Sequence, residues 1–522
     1  MSALGRLAWL VTFLGSATLL GAASVNLQEV FALYGSTHGI AGAFFGRSIT
    51  GVGDQNGDGF DDVLIANNFE KKAFLYLGGS PMDTLPARVF QRGETGFASE
   101  VANLGDVNMD GKTEFAILSG PGIYIYRGAS LDTVPMLKLP GPFAHVAGMG
   151  DVNGDGFADV LASDPAWNTS RGRTWIFFGG NPMNTIPDWS ADGDSTLRWF
   201  GYSIAGNGDL NHDGFKDFAI AEFNDQAVEA PARIKIYFGG SEIDTIPVLL
   251  LDGRILHGLN PHACIVADIN GDHYDELAAP SLADTGAFVF FGRDTLKNVP
   301  DLILQGSGVS SPLNLRIASV GDVNGDGNND ILTGNQSAWN GLGEVLLYLG
   351  KPQMTGKPDF VTRGYYGAWE GAGQEVAWCG DVNHDGLNDI MFSAYAPDFL
   401  TQNGKVEIFA GNRGLIVSAD LLTDQENVPA GFSLEPNFPN PFNPSTQITY
   451  ALAQGGEVSL DVFDVIGRKI ATLVNGFQGP GVRSATWNAA STASGVYFAR
   501  MTVVDGAGRL LFSKVTKCLL AR

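Results

Sequence analysis

A nine-residue pattern, Asp-x-Asn-x-Asp-Gly-x-x-Asp, first appears at Asp54-Gln55-Asn56-Gly57-Asp58-Gly59-Phe60-Asp61-Asp62 and limits what this chain can become. Side-chain oxygens fall at loop positions 1, 3, 5 and 9 (Asp54, Asn56, Asp58, Asp62), and the carbonyl of Phe60 at position 7 offers another. A hard cation such as Ca²⁺ takes six to eight oxygens at about 2.3–2.6 Å, which demands a tightly curled backbone. Gly59 at position 6 supplies the left-handed turn of that curl. The loop opens like an EF-hand, but its last acid comes at position 9 instead of 12. Val63-Leu64-Ile65-Ala66 follows it, an apolar β-type run and no helix, so the loop is expected to close a hairpin.

The pattern recurs six more times, at intervals of 45 to 59 residues. The corresponding oxygen donors are Asp106, Asn108, Asp110, Lys112 and Glu114, then Asp151, Asn153, Asp155, Phe157 and Asp159, then Asp209, Asn211, Asp213, Phe215 and Asp217. The last three sets are Asp268, Asn270, Asp272, Tyr274 and Glu276, then Asp322, Asn324, Asp326, Asn328 and Asp330, then Asp381, Asn383, Asp385, Leu387 and Asp389. Lys112, Phe157, Phe215, Tyr274, Asn328 and Leu387 enter through their carbonyls. Self-similarity at this period marks a repeat architecture. Loop five departs from the rest, with His273 where glycine is expected. A non-glycine residue in the left-handed region costs roughly 1–2 kcal/mol, so loop five is expected to be the weakest site.

Each repeat carries four short strand-like runs. In the first they are Ser48 to Val52, Val63 to Ala66, Ala73 to Leu77 closed by Gly78-Gly79, and Ala87 to Phe90. Four strands per unit is the signature of a β-propeller blade, so an all-β, seven-bladed propeller is expected. Val30 to Tyr34 precedes the first repeat as a fourth strand precedes later ones, and is expected to complete blade seven and close the ring.

The net charge of −24 becomes intelligible once it is located: positions 1, 5 and 9 of the seven loops hold 21 of the 56 acidic residues. Acidity of this kind is a ligand inventory, and it argues against nucleic acid as a partner. Met1 to Ser24, with Arg6 as its only charge and an apolar core from Leu7 to Leu20, reads as a secretory signal peptide. No other apolar run is long enough to cross a bilayer. Cys264, Cys379 and Cys518 do not make a disulfide framework, and the first two are expected to be buried and unpaired.

The third-strand ending recurs as Phe178-Gly179-Gly180 and Phe238-Gly239-Gly240, and a Phe-Gly pair opens repeat one (Phe45-Gly46) and repeat four (Phe200-Gly201). At these residues the chain resembles the FG-GAP repeats of integrin α-subunit head domains and their bacterial relatives, over about residues 27–417. The resemblance implies a seven-bladed propeller with a cation in each first hairpin. Residues 418–431 read as a linker. Residues 432–522 alternate in strand fashion and are expected to form a small Ig-like β-sandwich. Within them, Asn437-Phe438-Pro439-Asn440-Pro441-Phe442-Asn443-Pro444, Asp464-Val465-Ile466-Gly467 and Ser494-Gly495-Val496-Tyr497 resemble the type A sorting domain of type IX secretion. That implies export to a bacterial surface through the type IX machinery.

The functional expectation is a secreted or surface-attached binding and adhesion module holding up to seven structural Ca²⁺ ions, with an extracellular protein or polysaccharide as partner. Trp167 and Trp339 fall in connections opposite the acidic loops, and Tyr365, Tyr366 and Trp369 in the link before blade seven. They are candidate ligand-stacking residues, and packing between blades would account for them equally well. The alternatives are a calcium-dependent polysaccharide lyase or hydrolase, which would need an unliganded acid, base or Arg cluster at the central channel, and a passive coat protein. No catalytic motif is evident.

Overall fold

A computed structural model describes residues 27–34, 45–195, 198–223, 232–256, 259–281, 286–306, 315–364, 371–394, 404–415, 432–434, 437, 439–452, 456–478, 481–490, 492–504 and 509–521. The signal segment 1–24, the linker 418–431 and the aromatics Tyr365, Tyr366 and Trp369 lie outside the described residues. The chain divides into two compact units, 1–419 and 420–522.

Among the described residues, the first unit contains seven four-stranded antiparallel sheets. In blade one the strands are Ile49–Gly53, Asp62–Asn67, Lys72–Tyr76 and Arg88–Gln91. The first strands of the next five blades are Val101–Gly105, His145–Gly150, Ser203–Gly208, Cys264–Val266 and Leu315–Gly321. Blade seven is composite. Ala372–Gly380, Asp389–Ala394 and Lys405–Ala410 are joined by Gln28–Tyr34, which pairs antiparallel with Lys405–Ala410 as its outermost strand. The N-terminal strand therefore completes the last blade, as its sequence position suggested.

Burial explains why the second strand of each blade is a continuous apolar run and not an alternating one. Asp62–Asn67, Asp159–Asp164 and Asp330–Asn335 are buried at every residue, because both faces of the strand meet a neighbouring blade. The outer strand Arg88–Gln91 buries only Phe90 and keeps the alternation of a one-sided strand. The apolar residues gather into seven cores, each shared by two consecutive blades. One unites Val52, Leu64 and Phe90 with Phe115, Ile117 and Tyr126, and another closes the ring by uniting Leu33, Val406 and Ile408 with Phe45, Ile49 and Val63. A residue every other position thus serves one interface and its neighbour serves the next.

The Phe-Gly signals have separate jobs. Phe45 is fully buried against Phe74 and Tyr76 with edge-to-face rings at 5.8 and 6.5 Å. The glycine ending each third strand answers a steric demand: a Cβ on Gly78 would lie 2.3 Å from the Asp61 carbonyl, and one on Gly179 would lie 2.4 Å from that of Ala158.

The second unit has a three-stranded sheet (Ser433–Leu434, Ser445–Leu452, Gly481–Asn488) and a four-stranded one in the order Lys469–Gln478, Gly456–Asp464, Gly495–Val504, Leu510–Leu520. Both sheets contribute to one core, with Ile448, Tyr450 and Trp487 from the first and Leu460, Met501 and Leu520 from the second. Cys264, Cys379 and Cys518 are free thiols, with Cys379 and Cys518 buried and Cys264 only partly so. Among the described residues no helix is long and apolar enough to cross a membrane.

Candidate metal centres

Every acidic loop joins the first and second strands of its blade, and in all seven the position-1 carboxylate accepts from the N–H groups of positions 5 and 6. In loop one the Asp54 carboxylate accepts from the backbone N–H of Gly57 (2.6 Å), Asp58 (3.2 Å) and Gly59 (2.8 Å). The Asn56 oxygen accepts from Asp58 N–H at 2.9 Å, and Asp58 accepts from Phe60 N–H at 3.0 Å. Loops three and six repeat the set, with Gly156 N–H on Asp151 at 2.7 Å and Gly327 N–H on Asp322 at 2.8 Å. Burial works against the Asp54 carboxylate, but these backbone donors outweigh it and hold its pKa below the ordinary value.

The curl needs two left-handed residues and not one. Position 6 has positive φ as expected, including His273 at 73° in loop five. Position 4 has it as well: Gly57, Gly154, Gly271 and Gly325, but also Met109 (57°), His212 (59°) and His384 (59°). Sequence reasoning missed this because three of the seven loops carry no glycine there. His212 and His384 are exposed, and each packs on the position-7 aromatic ring of the following blade, Tyr274 at 5.5 Å and Phe60 at 5.4 Å.

The position-9 acid is the anchor. Asp62 is fully buried; it accepts from the position-2 N–H of Gln55 at 2.7 Å and from Gly78 N–H, at the end of the third strand, at 2.8 Å. The same bridge recurs from Glu114 to Gly128, Asp159 to Gly179, Asp217 to Gly239, Asp330 to Gly350 and Asp389 to Gly411. In loop five Glu276 accepts instead from the Asn270 amide at 3.0 Å. The acidic loop and the third-strand glycine, separate signals in the sequence, are two ends of one contact. Adjacent loops are also tied together: Asp61 N–H donates to the Asp381 carbonyl, Ala158 to Asp106, Lys216 to Asp151 and Asn388 to Asp322.

These buried acids sit in a field that suits a cation. Burial, reinforced by the other loop carboxylates and only partly offset by backbone N–H groups, pushes Asp62, Glu114, Asp159, Asp217 and Asp389 up to about 7, Asp330 to about 8 and Glu276 to about 9. The Asn108 side chain is buried with neither its oxygen nor its nitrogen hydrogen-bonded among the described residues. In loop five, oxygens of Asp268, Asp272 and Glu276 lie within 4.8 Å of one another. The loop with the least favourable backbone residue is thus one in which three acids converge. Oxygen-only donors, clustered charge and an unpartnered buried amide together fit a divalent cation.

Trp167 and Trp339 are engaged within their own blades. Trp167 meets Trp175 edge to face at 5.8 Å and lies beneath Arg173 at 4.8 Å. Trp339 donates its indole N–H to Glu344 at 2.7 Å and lies beneath Arg363 at 4.0 Å.

The FG-GAP repeat family matches residues 143–177 and 315–348, which run through the third strands of blades three and six. The chain carries FG-GAP repeats. The secretion system C-terminal sorting domain family matches residues 437–509, in the second unit, which marks a protein secreted or carried to the outer surface in bacteria. The FG-GAP unit is similar to integrin alpha-5 of Xenopus laevis, at 25% identity over 300 residues, covering 49% of this chain and 27% of that protein. It is similar also to integrin alpha-V of Gallus gallus, at 26% identity, covering 49% of this chain and 21% of that protein. The chain thus spans about a quarter of the length of these curated relatives. Among solved structures, BBS1N in complex with ARL6DN, soaked with mercury, aligns with a TM-score of 0.47 and 13% identity, over 75% of this chain and 99% of that one.

Proposed function

We propose that this protein is a secreted or surface-held binding module whose FG-GAP propeller is ordered by Ca²⁺ in its first-hairpin loops, with up to seven ions. The position-9 acids carry the reading. They are buried; six of them accept from both the position-2 N–H and the third-strand glycine, and in loop five Glu276 lies within 4.8 Å of Asp268 and Asp272, so a cation bound there would neutralise a buried carboxylate and brace the hairpin against the third strand. The holding groups are the oxygens at positions 1, 3, 5 and 9 with the position-7 carbonyl, from Asp54 through Asp389. The partner is an extracellular protein or polysaccharide, and export runs through the type IX machinery that reads the sorting domain. Similarity to integrin α chains supports an adhesive role.

The test is a thermal melt of the full chain in EGTA and in excess Ca²⁺. A ligand present at 100 times its Kd stabilises by about 2.7 kcal/mol per site, so calcium should raise the melting temperature by several degrees. Superimposable melts would end the structural-cation reading.

A further inference from the structure

Six positions ahead of the first aspartate of each loop stands a polar residue in every blade: Ser48, Glu100, His145, Ser203, His262, Arg316 and Glu375. None of them belongs to a metal loop. They fall at the start of the innermost strands, at the end remote from the acidic loops. Successive side chains reach toward the next blade. The Ser48 hydroxyl accepts from Val101 N–H at 3.1 Å, and Glu100 meets His145 Nδ1 at 2.9 Å and Val146 N–H at 3.0 Å. The Ser203 hydroxyl accepts from Ala263 N–H at 3.4 Å. Arg316 contacts His262 Nε2 at 2.6 Å and donates to Glu375 at 3.3 Å. His262 turns Nδ1 toward the Asn260 amide oxygen at 2.7 Å and meets the Tyr202 ring edge to face at 5.6 Å.

The result is a polar belt around the propeller axis. Its charged side chains remain a quarter to a third exposed: His145 35%, Glu100 26%, Arg316 28% and Glu375 24%. Three positions further along the strands, Gly51 and Gly148 let neighbouring backbones draw so close that a Cβ would lie within 2.9 Å of Cys379 and 2.5 Å of the Asn103 carbonyl. The belt therefore stands where the strands are still spread apart enough to hold side chains between them.

Its charges do not cancel. Glu100 is hydrogen-bonded to His145 Nδ1, and its charge is matched when that imidazole is protonated; burial lowers the His145 pKa, but the Glu100 charge and hydrogen bond raise it overall. Glu375 is matched by Arg316. His262 stays neutral, pushed down to about 3 by burial and by Arg316 and His145. That leaves Arg47, one residue before Ser48, exposed and with no ion pair of its own among the described residues; a Cβ on its neighbour Gly46 would lie 2.9 Å from Ser393, whose hydroxyl accepts from Glu375 N–H at 3.2 Å, so this stretch runs beside the Glu375 part of the belt.

We propose that this belt is the ligand site of the propeller and that it takes a uronate unit of an acidic polysaccharide. Arg47 would pair with the sugar carboxylate. Glu, His, Ser and Arg groups alternating around the belt match vicinal hydroxyls, each of which both donates and accepts, and the Tyr202 ring offers a face or edge to the sugar. An acidic peptide side chain would satisfy Arg47 and leave the rest of the belt unused. This assignment rests on the binding-module reading and names its site.

Calorimetry of the full chain in Ca²⁺ with short oligogalacturonates tests it, beside their methyl esters and an aspartate-rich peptide of equal charge. The oligogalacturonate should bind, the ester should not, and Arg47→Gln should weaken binding at least ~10-fold with an unchanged melting temperature, since Arg47 is exposed and unpaired. Binding untouched by Arg47→Gln, or equal binding of the peptide, would overturn the assignment. Retention of other ligands but no uronate would overturn it and leave the binding module standing. No retention of any protein or polysaccharide would end both.

Discussion

At His273 a bulky residue adopts φ 73° in a place that six of seven loops give to glycine, and the three acids around it still converge within 4.8 Å. The roughly 1–2 kcal/mol of backbone cost does not unwind the loop: His273 N–H donates to Asp268 at 2.8 Å, the bond that the position-6 glycine makes in the other six loops. Residue-scale chemistry is most exposed to experiment at His145. Its folded pKa is raised, so its pairing with Glu100 contributes stability that is complete below the unfolded value of about 6.5 and is lost as pH rises through the folded one. Glu100, Arg316 and Glu375 are the charged groups that act on it. In excess Ca²⁺, which on the proposed reading would hold the loop acids ionised, the full chain should lose stability as pH climbs from about 6.5. Glu100→Gln should flatten that slope. Parallel pH profiles of chemical denaturation for the two proteins would refute the pairing.

The unit element is the first hairpin together with the glycine that ends the third strand. Asp159 shows what the bridge is worth. It is fully buried and accepts from Val152 N–H at 2.9 Å and Gly179 N–H at 2.8 Å. Asp159→Ala would leave both donors buried and unpaired, at ~1–3 kcal/mol each, so a loss of about 3 kcal/mol is expected in urea titrations. A loss below about 1 kcal/mol would mean that the bridge is ornamental. The loop's donor types and the third-strand glycine were each legible in the sequence. Their contact was not, because the partners lie 14 to 22 residues apart and meet only when the blade's strands pair.

On the scale of the whole molecule, the ring is closed by a strand that precedes all seven loops in sequence. Gln28–Tyr34 pairs with Lys405–Ala410 and places Leu33, 1% exposed, into the core between blades seven and one. Removing residues 27–34 should bare the edge of Lys405–Ala410, lower the melting temperature and promote self-association visible by light scattering. A variant that stays monomeric with an unchanged melt would show that closure contributes nothing.

The sequence alone determined the number of blades, the donor types that each loop offers and the composite seventh blade, because each is a local pattern repeated in register. Only the tertiary structure decided what happens between repeats. The inter-loop backbone hydrogen bonds, the shared cores and the polar belt of Glu100, His145, His262, Arg316 and Glu375 all depend on side chains from different blades meeting around an axis. Nothing in one repeat specifies its neighbour's distance, and a ring of seven sheets fixes it.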